Sequence, residues 1–71
     1  MNREPVQSSA LSSIGYDAET ETLEVEFTSG SVYRYLHVPS VVAAELRNAE
    51  SRGRYFDAFV KGAGYEYYRV S

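Results

Sequence analysis

The chain contains no cysteine. Neither a disulfide framework nor a thiolate metal site can staple it. It has one histidine, His37, set between Leu36 and Val38. One imidazole among scattered acids is too few ligands for a metal. A nucleophilic triad would also need a serine with its base in register, and no Gly-x-Ser-x-Gly elbow is present. His37 is therefore read as a structural residue at a strand end. Gly62-Ala63-Gly64 lacks the lysine-serine continuation of a phosphate loop. No apolar run approaches the roughly 20 residues of a membrane span. The opening Met1-Asn2-Arg3-Glu4-Pro5 lacks the basic-then-apolar pattern of a secretory signal. The expectation from these absences is a cytoplasmic, non-catalytic protein with no metal, no cofactor and no membrane contact.

What the chain has in quantity is aromatic surface. Seven tyrosines and three phenylalanines stand among 71 residues. Each ring can bury about 150–250 Å², and each tyrosine keeps a polar tip. A chain of this length has room for one domain and buries only about 60% of its unfolded surface. The net charge is -3, which argues against strong non-specific nucleic-acid binding. The charge is uneven, however. Through residue 30, Arg3 stands alone against Glu4, Asp17, Glu19, Glu21, Glu24 and Glu26. Beyond it, Arg34, Arg47, Arg52, Arg54, Lys61 and Arg69 outnumber Glu45, Glu50, Asp57 and Glu66.

Residues 1–8 read as a polar, flexible lead-in broken by Pro5, and residues 9–71 as a single domain. Ser9 to Tyr16 is a strand candidate. Thr22 to Thr28 is the clearest one, with Leu23, Val25 and Phe27 alternating against Glu24 and Glu26. A three-residue loop, Thr28-Ser29-Gly30, would put glycine in the left-handed position of a bulged hairpin. Val25 then faces Tyr33, Leu23 faces Tyr35, and Arg34 sits beside Glu24 on the solvent side. The alternative two-residue loop would put Arg34 opposite Val25, in the core. Glu24 and Glu26 are read as a solvated face rather than as an acid–base pair, which would need a cleft and a raised pKa. Pro39-Ser40 starts a helix ending near Ala49-Glu50. Ser51 caps a second helix, which stops near Gly62. Tyr65 to Val70 forms a last strand. The fold class is α+β in the order βββααβ: an antiparallel three-stranded meander, a helical hairpin on one face, and a short C-terminal strand.

The chemistry on offer is basic and aromatic. Ser51-Arg52-Gly53-Arg54-Tyr55 carries two arginines at a helix start, where backbone N–H groups favour phosphate. Lys61, Tyr65, Tyr67, Tyr68 and Arg69 add rings and charge nearby. Rings with basic neighbours can stack unpaired bases. Arg52, Arg54, Lys61 and Arg69 are the candidate phosphate contacts, and Tyr65, Tyr67 and Tyr68 the candidate stacking rings. The simpler account puts Tyr33, Tyr35, Tyr55 and Tyr65 in the core. A second function reading is a protein-interaction or homodimerisation module, using Val32 and Leu36 as exposed aliphatics.

Ile14-Gly15-Tyr16-Asp17, Thr22-Leu23-Glu24-Val25-Glu26-Phe27, Tyr33-Arg34-Tyr35, Ser51-Arg52-Gly53-Arg54-Tyr55-Phe56 and Val60-Lys61-Gly62 together resemble the KTSC domain. The resemblance runs from about Val6 to Val70. Its most specific parts are Tyr33-x-Tyr35 and the segment holding Ser51, Gly53, Tyr55 and Phe56. KTSC domains stand at the C-terminus of some lysyl-tRNA synthetases and alone in bacteria. The resemblance implies a binding module that contacts RNA or single-stranded nucleic acid. Where that family often has asparagine after the Tyr-Phe pair, this chain has Asp57, a negative charge beside the basic turn.

Overall fold

A computed structural model describes residues 1–71. Alternation of Leu23, Val25 and Phe27 with Glu24 and Glu26 builds the central strand β3, Thr22–Phe27. It lies between β2, Leu11–Asp17, and β4, Val32–Tyr35. Two helices follow, α1 at Ser40–Asn48 and α2 at Arg52–Phe59. A single 3-10 turn, Lys61–Ala63, leads to β5, Tyr67–Arg69, which pairs with β4.

One strand was not expected. Glu4–Pro5 forms β1 and pairs antiparallel with β2, Glu4 opposite Ile14. The sheet thus has five antiparallel strands in sequence order, and four of them precede the helices, not three. The added strand falls in the stretch read as a polar lead-in. Proline is tolerated there because β1 is an edge, where a missing N–H costs no ladder bond. Gly15 makes room for this approach: a Cβ at that position would meet the Asn2 carbonyl oxygen at 2.7 Å.

The β3–β4 hairpin has the register with rings inward. Leu23 faces Tyr35, Glu24 faces Arg34, and Val25 faces Tyr33. The loop closes through Phe27 N–H to Ser31 O at 2.9 Å and Gly30 N–H to Phe27 O at 2.9 Å. Gly30 sits at φ +97°, the left-handed conformation that the bulge requires.

Ser51 caps α2 by accepting from Arg54 N–H. The helical segment does not stop at Gly62. The helix ends at Phe59, and the left-handed residue is Gly64, at φ +82°, after the 3-10 turn. His37, exposed at φ +58°, turns the chain between β4 and α1. The core lies between the sheet and the helices. Ile14, Leu23, Val25 and Tyr35 pack with Val38, Ala43, Leu46, Phe56 and Val60. No helix is long and apolar enough to cross a membrane.

Candidate functional site

The strongest concentration of unusual surface lies where the sheet runs out beyond α2. Phe27 ends β3, Tyr33 and Tyr35 lie on β4, Phe56 projects from α2, and Tyr67 opens β5. Their rings form a closed circuit. Phe27 meets Tyr33 at 5.7 Å between centroids, and Tyr33 meets Tyr67 at 6.0 Å. Tyr67 stacks on Tyr35 at 5.3 Å with the planes 28° apart. Tyr35 meets Phe56 edge-on at 5.4 Å, and Phe56 returns to Phe27 at 5.3 Å. These rings line a cavity of about 410 Å³ whose remaining walls are Asp57 and Lys61. Burial pushes the Tyr35 phenol above its ordinary value, with Tyr67 and Tyr33 adding to the effect. Tyr67, by contrast, is 62% exposed. It offers a ring whose stacking partner is already fixed.

The residues singled out from sequence do not all meet here. Lys61 and Tyr67 line the cavity. Arg69 is paired across from Tyr33 and lies two residues from Tyr67, so strand alternation puts it on the same side of the sheet. Tyr68 points to the opposite face, where it is paired across from Arg34. Tyr65 is half-buried and packs against the core. Arg54 is exposed and lines a shallower depression at the start of α2, together with Ser51, Glu50 and Asp57. Arg52 is committed to the fold. Its Nε and Nη2 donate to the Arg47 carbonyl at 3.1 and 2.7 Å, and its Nη1 donates to the Gln7 carbonyl at 3.2 Å. It ties the end of α1 and the N-terminal segment to α2.

The opposite face of the sheet also differs from a plain solvated surface. Glu24 is only 3% exposed. Arg34 Nε donates to Glu24 Oε1 at 2.7 Å, and Arg3 Nη1 donates to Oε2. Burial alone would push the Glu24 carboxyl up. The hydrogen bonds and charges of Arg34 and Arg3 outweigh it and hold the group below the ordinary carboxylate range. A carboxylate kept ionised between two arginines is a poor general acid. Val32, read as an exposed aliphatic, is 5% exposed, and Leu36 is half-buried. The tail runs alongside Val32 in the sheet: Val70 N–H donates to Val32 O at 2.7 Å, and Val32 N–H donates to Ser71 O at 2.9 Å. The exposed large apolar and aromatic residues are instead Met1, Val41, Phe59, Tyr67, Tyr68 and Val70.

The family model of the KTSC domain matches residues 7–67. The chain belongs to the KTSC domain family. Over 99% of its length it resembles the crystal structure of a KTSC domain protein from Yersinia pestis, with a TM-score of 0.94 and 37% identity, covering 97% of that chain. It is 49% identical over 70 residues to an uncharacterized protein of Stutzerimonas stutzeri, covering 99% of both chains. It is also 45% identical over 56 residues to a lysine--tRNA ligase of Nostoc punctiforme, using 79% of this chain but only 10% of that enzyme. The KTSC domain therefore occurs both alone and as a small part of a ligase. No catalytic family is indicated.

The aromatic circuit was only partly legible beforehand. Phe27, Tyr33, Tyr35, Phe56 and Asp57 lie outside the candidate contacts read from the sequence. The available signal was position: Phe27 ends a strand and Tyr33 nearly begins the next, so both rings sit at the rim of the sheet.

Proposed function

We propose that this KTSC domain is a non-catalytic module that binds RNA or single-stranded nucleic acid through the aromatic cavity. The observation that carries the reading is Tyr67, an exposed ring held against Tyr35 at 5.3 Å beside Lys61. Stacking on such a platform tolerates any base, because each base has a π face. Lys61 and Arg69 add positive charge on that side of the sheet, and Arg52 does not contribute. The sharing of the domain with lysine--tRNA ligases adds support by association. Protein interaction or homodimerisation is the second reading. It would use the exposed Val41 and Phe59 rather than Val32 and Leu36.

Fluorescence anisotropy with labelled single-stranded RNA and DNA and with duplex DNA, at two salt concentrations, tests the proposal. Single strands are expected to bind more tightly, and the affinity to fall with salt. Replacing both Lys61 and Arg69 by alanine should flatten the logarithmic salt dependence by about 1.4, since each single-strand phosphate contact contributes about 0.7. Salt-independent binding, or none, would overturn the reading.

A further inference from the structure

The rim of the aromatic cavity carries more information than a stacking platform needs. Two charges line it, Asp57 on α2 and Lys61 on the following turn. Neither takes part in the ion pairs of the fold, which are Arg3–Glu24 and Arg34–Glu24. A pure phosphate site would gain nothing from a carboxylate at its mouth, since it repels the backbone. A base edge is different.

The four bases present different edges to a carboxylate next to an ammonium. Guanine places O6, an acceptor, directly beside N1–H and the N2 amino group, two parallel donors. Two parallel N–H bonds match the two oxygens of a carboxylate, as a guanidinium fork does. Uracil offers one N–H flanked by two carbonyl oxygens, which a carboxylate repels. Cytosine and adenine each offer one amino group next to a ring-nitrogen lone pair. Only guanine satisfies Asp57 with two donors while its neighbouring oxygen meets Lys61. The volume, about 410 Å³, lies in the roughly 300–1,000 Å³ range of small-ligand sites.

We infer that the cavity is a subsite for one unpaired guanine, with Asp57 accepting from N1–H and N2–H, Lys61 donating to O6, and Tyr67 supplying the stacking face. The inference rests on the single-strand reading above and names the base that its central site takes.

The test uses labelled nine-residue RNAs in which the centre of an all-uracil strand is replaced by G, A or C. The G-containing strand is expected to bind about ten-fold tighter than the others, within the range of a bidentate base contact. Asp57→Asn removes one acceptor oxygen and substitutes a donor. It should abolish the preference for G, so that the G-containing strand binds no tighter than the A- and C-containing ones. Asp57 is exposed, so this variant is expected to fold, and its circular dichroism checks that it does. Equal binding of the four strands by the native protein would overturn the guanine assignment and leave the single-strand reading intact. A preference for G that survives Asp57→Asn would do the same. Failure of every strand to bind would overturn both.

Discussion

The two faces of the sheet handle polar atoms in opposite ways. On the outer face, Glu24 is flanked by Arg3 and Arg34, and Ser13 takes a bond from Arg3 and gives one to Glu26. The central charges are matched, and the network holds the edge strand β1 to the sheet. On the helix-covered face, the apolar core thins out toward Phe27 and Tyr67. There an aromatic rim remains with Asp57 and Lys61 outside the ion pairs of the fold. Burial of polar groups is tolerated only when they are partnered, so a fully partnered face has little left to offer a ligand. Free hydrogen-bonding capacity remains where the partnering is incomplete.

The comparison is broken most severely at Phe56, which serves both the core and the cavity. It is buried and meets both Phe27 and Tyr35. Phe56→Ala should lower stability by about 3–5 kcal/mol, the usual cost of removing a buried phenyl ring. Urea unfolding followed by circular dichroism measures it. A loss below about 1 kcal/mol, the typical effect of any substitution, would mean that the rings are not mutually supporting.

Glu24 tests the outer face. Its carboxyl is held below the ordinary value of 4.5 in the folded chain. A depressed folded-state pKa means that the unfolded chain takes up the proton first as pH falls. The stabilisation is therefore fully present above about pH 4.5 and is lost as pH drops through the folded value. Glu24→Gln should cost about 1–3 kcal/mol at neutral pH, less than a fully buried pair because both arginines are partly exposed. It should also flatten the stability profile below pH 4.5. An unchanged acid profile in the variant would assign acid sensitivity to other carboxylates.

The same contrast explains what could be read from residues in order. The β3–β4 register was legible because period-two alternation and Gly30 both demand it. The two helices were legible from Pro39, Ser51 and their apolar spacing. The first strand was not. Its two residues carry no alternation, and it is held by Arg3 reaching Glu24 across 21 positions. The hydrogen bonds of Arg52 were hidden for the same kind of reason. Its partners are backbone carbonyls, which no side-chain pattern announces. Gly62 and Gly64 are equally good stop signals on paper, and the extra 3-10 turn decides between them. Of the site, Lys61 and Tyr67 were visible as charge and ring. The circuit they complete depends on β5 pairing with β4, a contact made across the whole helical hairpin.

Tyr67 sharpens the comparison with the smallest expected change in stability. Its ring is mostly outside the core, so Tyr67→Ala should change unfolding by no more than about 0.5 kcal/mol beyond the value of its stacking on Tyr35, itself about 0.5–1.5 kcal/mol. If the cavity binds bases, the same substitution removes a stacking surface with an effect of about 1–3 kcal/mol per base. Binding should then fall further than folding does. Tyr68→Ala is the matched control, since Tyr68 is 46% exposed, neighbours Tyr67 in sequence and points to the outer face. Anisotropy titrations of the two variants against one single-stranded RNA separate the faces. A larger loss at Tyr67 assigns recognition to the helix-side rim. Equal losses at both would mean that strand β5 acts through its edge or its charge, and the aromatic circuit would then be packing alone.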